Sequence, residues 1–317
     1  MALPPTARIS FRAEPTGGAI KPEPDDAQYR AIVGRRALLL LIHGYNNDLA
    51  AGEDAFRGFE RVQRELAGIG EDDPVAGGKI VQIYWPGDAD WGIMSPLYYP
   101  WSVERACDTA KALAQVLARA AREGGHKEID IVAHSMGSRL AFELLRELQN
   151  AGDITVSRMV LMAGAVPTFM LEPTPDKREL RAAFDSVLAD AGMSLHSGDD
   201  MVLAMAFPLG QSIAPGEEGF FPTALGHEHF TDAPARLSQD EITGAGHSDY
   251  WGWRDQEDAR RCARAANSII KTFLRLEPIG ARVTAQRETT ERESPPSRET
   301  GAARETAGYS QTEWPTY

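Results

Sequence analysis

Between residues 129 and 145 a short apolar run turns directly into a helix, with a serine at the turn. Ile129-Asp130-Ile131-Val132 has the make-up of a buried strand, and Arg139-Leu140-Ala141-Phe142-Glu143-Leu144-Leu145 that of a helix. The residues between them, Ala133-His134-Ser135-Met136-Gly137, leave no room for a loop. A chain that turns this sharply crowds backbone against backbone, and only small residues at 133 and 137 tolerate the crowding. Such a layout is a nucleophile elbow, which projects a serine Oγ above the edge of a sheet. Ala133 stands where the usual pattern has glycine. The segment predicts an α/β architecture, a mostly parallel central sheet with helices on both faces, and it marks Ser135 as a candidate nucleophile.

From residue 31 to 278 strand-like and helix-like segments alternate, the pattern of a parallel sheet flanked by helices. Strands are expected at 37–42, 79–85, 129–133, 158–162 and 193–196, and helices at 51–67, 103–121, 138–149, 177–189 and 258–275. In the second helix Ala106, Ala110, Leu113, Val116 and Leu117 recur at helical spacing, one apolar stripe for packing on the sheet. Residues 1–30, with five prolines among charged and small residues, read as an extended lead-in carrying one edge strand at 8–13. The stretch 165–192 holds one helix and a short loop, so no large cap domain is expected. The segment 207–245, rich in Gly, Pro and polar residues, reads as a long functional loop. Beyond 278 the composition shifts to Arg, Glu, Thr, Ser and Pro, and 279–317 reads as a disordered tail. Its Tyr309, Trp314 and Tyr317 suit either a docking motif for a protein partner or a plain solvated end.

A serine hydroxyl is a poor nucleophile near neutral pH. Ser135 therefore needs a base within hydrogen-bond reach and a third group to orient that base. In folds with this elbow the acid and then the histidine follow the serine along the chain. Of the histidines beyond Ser135, His247 is preferred over His196, His227 and His229, because Gly244-Ala245-Gly246-His247 forms a glycine-rich loop just before the last helix. His227 and His229 suit a surface or a weak metal site. His134 suits support of the elbow better than the role of base. The run Met193-Ser194-Leu195-His196-Ser197-Gly198-Asp199-Asp200 reads as a strand entering a tight turn at the sheet edge, with Asp200 preferred over Asp199 as the acid. Capping of the next helical turn is the alternative role for both aspartates. Asp249 is too close to His247 in sequence to reach the same ring nitrogen productively.

The first core strand ends in His43-Gly44-Tyr45-Asn46-Asn47. The backbone N–H groups of Tyr45 and Met136 are then the candidate oxyanion donors, with His43, Gly44, Asn46 and Asn47 bracing the turn. Trp85, Trp91, Met94, Tyr98, Tyr99 and Trp101 form an aromatic-rich stretch that suits either an acyl pocket, with Trp85, Trp91 and Tyr98 on its wall, or a packed corner.

A formal net charge of -13 argues against a nucleic-acid surface and against docking on anionic membranes. Cys107 and Cys262 each fall in an expected helix and read as small apolar side chains in preference to a disulfide, and no metal-type spacing is present. Met1-Ala2-Leu3-Pro4-Pro5 lacks the basic start and apolar stretch of a signal peptide, and the longest apolar run, 37–42, is too short to cross a bilayer. A cytoplasmic protein is expected.

Taken in order, His43-Gly44-Tyr45-Asn46-Asn47, Trp85-Pro86-Gly87, Ala133-His134-Ser135-Met136-Gly137-Ser138-Arg139, Ser197-Gly198-Asp199-Asp200 and Gly246-His247-Ser248-Asp249-Tyr250-Trp251 resemble the bacterial α/β-hydrolases of the DUF900 group, over about 35–275. The resemblance implies an α/β-hydrolase fold with Ser135, Asp200 and His247 as a triad. In that group an acid commonly follows a Ser-x-x-Asp turn, which favours Asp200. The elbow is also similar to that of small bacterial lipases, where alanine takes the first position. No cofactor and no metal is implied. The expectation is a small-molecule carboxylic ester of short or medium chain, cleaved through an acyl-enzyme. The alternative is a non-catalytic or partner-recruited protein that uses the same fold and the tail.

Overall fold

A computed structural model describes residues 6–45, 47–88, 99–173, 179–212 and 222–276. Seven strands, β1 (Ala7–Ser10), β2 (Ala37–Ile42), β3 (Ile80–Tyr84), β4 (Lys127–His134), β5 (Ile154–Met162), β6 (Leu188–His196) and β7 (Leu237–Glu241), pair in the order β1-β3-β2-β4-β5-β6-β7. Every pairing is parallel. The helices are α1 (Asp26–Val33), α2 (Leu49–Ala67), α3 (Tyr99–Gly124), α4 (Met136–Glu147), α5 (Glu179–Val187), α6 (Phe207–Ser212) and α7 (Glu257–Leu274). Helix α2 packs with α7, whereas α1, α3, α4 and α5 pack side by side in a second group. The right-handed rule for crossovers puts these groups on opposite faces, because the chain leaves β2 in one direction along the sheet and β3 in the other.

The middle of the sheet is apolar on both sides for that reason. Leu38, Leu39, Leu40, Leu41 and Ile42 are each at most 2% exposed, so β2 reads as a continuous hydrophobic run instead of an alternating one. Each such side chain stabilises the fold by about 1.5–3 kcal/mol relative to exposure. The helices carry ordinary stop signals. Asp48 accepts the Ala51 N–H at 2.8 Å to start α2, and Gly68 at φ 64° ends it.

The five expected core strands and five expected helices are all present, with ends shifted by a few residues. Two regions differ. Residues 6–33 supply the expected edge strand as β1, with Ala7–Ser10 in register against Val81–Tyr84, and add the helix α1, which an extended lead-in does not include. The segment 207–245 contains α6 and the edge strand β7, paired from Gly192↔Leu237 to His196↔Glu241. In β7 only Leu237 is buried, and Ser238, Gln239, Asp240 and Glu241 give no hydrophobic pattern to read. Among the described residues no separate cap domain is inserted. The tail at 279–317 lies outside them.

Candidate active site

The C-terminal ends of β2 and β4 lie side by side, with Ile42 opposite Ala133. From β2 the chain crosses to β3 on one side, and from β4 to β5 on the other. Open α/β sheets form a crevice at such a switch point. Into it run His43-Gly44-Tyr45 from β2 and His134-Ser135 from β4.

Ser135 has φ 53° and ψ -125°, a conformation costly for any side chain, and its backbone is held on several sides. Its N–H donates to Met162 O at 3.0 Å, and its carbonyl accepts from Ser138 N at 2.9 Å and Ala165 N at 3.1 Å. The small residues around it are sterically forced. A Cβ on Gly137 would stand 2.4 Å from His43 O, and one on Gly44 would stand 2.8 Å from Ser135 Cβ. Ala133 is fully buried at the end of β4 and keeps its methyl.

Ser135 Oγ lies 2.8 Å from His247 Nε2, and His247 Nδ1 lies 2.7 Å from Asp200 Oδ2. Asp200 is fully buried, and its other oxygen accepts the N–H groups of Val202 and Leu203, each at 3.0 Å. The helical turn after β6 thus orients the carboxylate: one oxygen caps, the other faces the imidazole. Asp199 turns away and accepts Gly244 N at 2.9 Å. An ionised carboxylate only accepts, so Nδ1 of His247 carries the ring proton and Nε2 offers its lone pair to Ser135. Asp249 does not reach the ring. It accepts Gly246 N at 2.9 Å and pairs with Arg254 at 3.0 Å, bracing the loop.

The turn after β2 is held as tightly. Gly44 O accepts from His43 Nδ1 at 2.9 Å and Asn47 Nδ2 at 3.3 Å. No peptide here is cis, so the Tyr45 N–H, in the same planar unit, points the opposite way. Burial brings the His43 pKa down to about 4, keeping the ring neutral. Trp85 is 0% exposed, stacks on His43 at 5.8 Å and donates its indole N–H to His43 O at 2.8 Å. Trp85 therefore belongs to the packed corner behind the turn and not to a pocket wall. Trp91, Met94, Tyr98 and Asn46 lie outside the described residues. The Met136 N–H opens α4, where backbone donors have no partner within the helix.

His134 ends β4 and holds the main-chain carbonyl of His247, with Nε2 at 2.7 Å. The His196 and His229 rings are 6.2 Å apart, away from Ser135's hydrogen bonds. Among the described residues no group of three His, Cys, Asp or Glu is arranged to hold a metal ion. Among the described residues Cys107 and Cys262 form no disulfide. No described helix is long and apolar enough to cross a membrane.

One buried group escaped the sequence reading. Arg12 is 5% exposed and donates to Trp85 O at 2.8 Å, Asn47 O at 3.2 Å, Pro15 O at 3.0 Å and Glu14 O at 3.4 Å. It also pairs with the buried Asp88, which accepts Gly17 N at 2.9 Å. The guanidinium ties the segment after β1 to the loop after β3 and to the turn bearing Tyr45.

Residues 31–188 match the family described as "Alpha/beta hydrolase of unknown function (DUF900)". The rice (Oryza sativa subsp. japonica) "Transmembrane and coiled-coil domain-containing protein STS1" is 25% identical over 200 residues, which are 56% of this chain and 28% of that protein. The chain thus spans little more than a quarter of that relative. Among solved structures, TT1662 from Thermus thermophilus is similar at 17% identity and a TM-score of 0.41, covering 76% of this chain and 90% of the other. The esterase of Pyrobaculum calidifontis is similar at 15% identity and a TM-score of 0.39, covering 76% and 77%.

Proposed function

Because this chain belongs to the α/β-hydrolase superfamily, we propose that it is a serine hydrolase of carboxylic esters, working through Ser135, His247 and Asp200. The observation that carries this reading is the unbroken hydrogen-bond chain from Asp200 through His247 to a serine held at φ 53°. In the first half-reaction His247 Nε2 takes the Ser135 proton as Oγ bonds to the ester carbonyl carbon. The carbonyl oxygen becomes an oxyanion held by the N–H groups of Tyr45 and Met136, each such donor being worth about 10²–10³ in turnover. The carbon–alkoxy bond then breaks, and the departing alcohol takes the proton from Nε2. Water repeats the sequence on the acyl-enzyme, giving a carboxylic acid and restoring Ser135. Asp200 stays ionised throughout, fixing the tautomer and stabilising the imidazolium.

A substrate of short or medium acyl chain fits a chain of net charge -13, which anionic lipid surfaces repel. The test is labelling with a fluorophosphonate probe and peptide mass spectrometry, then turnover of p-nitrophenyl esters from acetate to palmitate. An adduct on Ser135 that is lost in His247→Ala is expected, with rates highest among the shorter esters. A folded protein that takes no label would overturn the reading.

A further inference from the structure

We propose that His134 is a positioning residue, which locks the loop carrying the base onto the elbow by donating a hydrogen bond to the main-chain carbonyl of His247. The inference rests on the triad reading above. Ser135 and His247 belong to distant parts of the sheet: β5 and β6 lie between β4, which leads to the serine, and β7, which leads to the histidine. Strand pairing alone does not set the height of the histidine loop above the elbow. The residue beside the nucleophile ties that loop directly to the elbow, with His134 Nε2 2.7 Å from His247 O.

The chemistry of the ring is determined by its surroundings. A carbonyl only accepts, so Nε2 carries the proton and Nδ1 is bare. Nδ1 is buried without a hydrogen-bond partner among the described residues and lies 2.7 Å from where a Cβ on Gly44 would stand. One imidazole therefore touches the base loop on one side and the oxyanion turn on the other. It sits 5.0 Å from the His247 ring, 6.0 Å from Trp251 and 6.2 Å from Tyr250, centre to centre, which leaves it little freedom to rotate. Burial first, and the charge of His247 second, bring its pKa down to about 3. A neutral donor is what this position requires, because His247 itself becomes cationic during the reaction and a second cation beside it would oppose proton transfer.

The test compares His134→Leu, which removes the donor, with His134→Gln, whose Nε2 sits at about the same height as that of histidine. Fluorophosphonate labelling of Ser135 is expected to slow about 10- to 100-fold in the Leu variant, since misplacing a reacting group by about 1 Å costs about that much. The KM for a p-nitrophenyl ester should change less than about threefold, and the Gln variant should recover most of the labelling rate. Hydrogen–deuterium exchange over 243–249 should rise in the Leu variant alone. Labelling at the wild-type rate in His134→Leu, a Gln variant as slow as Leu, or exchange raised along the whole chain would each overturn the clamp. If wild-type protein takes no label, the hydrolase reading fails, and the exchange comparison alone then decides whether His134 holds the loop.

Discussion

Asp200→Asn should abolish most of the reactivity of Ser135 while leaving the fold intact. Oδ1 of Asp200 is held by two N–H donors, Val202 and Leu203, at 3.0 Å each. An asparagine in this place must keep its carbonyl oxygen toward them, because an NH2 group there would face two donors. Its amide NH2 then faces His247 Nδ1, where the carboxylate oxygen lies at 2.7 Å. A donor at that point forces Nδ1 to accept, so the ring proton moves to Nε2, 2.8 Å from Ser135 Oγ. The base is then occupied on the only nitrogen that can receive the serine proton. The wrong tautomer in a triad costs about 10⁴ in kcat, or about 5.4 kcal/mol of transition-state stabilisation. The assay is the second-order rate of fluorophosphonate labelling at neutral pH, with circular dichroism to confirm the fold. Asp199→Asn is the control: its carboxylate meets Gly244 N at the surface and not the imidazole, and a change below about threefold is expected. An Asp200→Asn protein that keeps a tenth of the wild-type rate, or a larger loss in Asp199→Asn, refutes the reasoning.

Gly137→Ala should destabilise the protein by about 3 kcal/mol in urea unfolding, because the new methyl meets two main-chain oxygens, His43 O at 2.4 Å and Ile42 O at 2.9 Å, that have no rotamer to escape into; unchanged stability would show that the elbow relaxes freely. Arg12→Met strands the buried Asp88 carboxylate and should cost about 3–5 kcal/mol in the same assay, with a smaller loss when Asp88→Asn is added. For pH, His43 and His134 have folded pKa values brought down mainly by burial to about 4 and about 3, so the stability they contribute is full above about 6.5 and is lost as pH falls through those values. Asp130 opposes them: burial raises it to about 6, so its contribution is full below about 3.8 and is lost as pH rises through 6. Urea unfolding between pH 6 and 4 should therefore show a steeper acid loss in Asp130→Asn, by up to about 1.4 kcal/mol per pH unit, and a shallower slope would contradict the assignment.

What could be read in the sequence and what could not are separated by the kind of contact involved. The elements around the elbow were legible because a buried strand, a turn of small residues and an amphipathic helix each leave a local pattern, as β2, β4 and α4 do. The edge strand β7 leaves none, since only its first residue is buried, and α1 was hidden in a proline-rich lead-in. Within the site, Ser135, His247 and Asp200 meet side chain to side chain. Such contacts demand particular residue types, and particular types in a known order can be searched for. The braces are different. Arg12 donates to four main-chain carbonyls, and the nearest in sequence that belongs to the turn or loop it fixes is 35 residues away. His134 bonds to a carbonyl 113 residues away, and His43 and Asn47 both bond to the carbonyl of Gly44. Every non-terminal residue presents the same carbonyl, so the acceptor end of each brace carries no residue identity, and no motif can record it. The groups proposed to react can therefore be named from the sequence. The framework that sets the distances between them becomes visible only once the backbone has been traced, and His134→Leu and Arg12→Met act on that framework without touching a reacting atom.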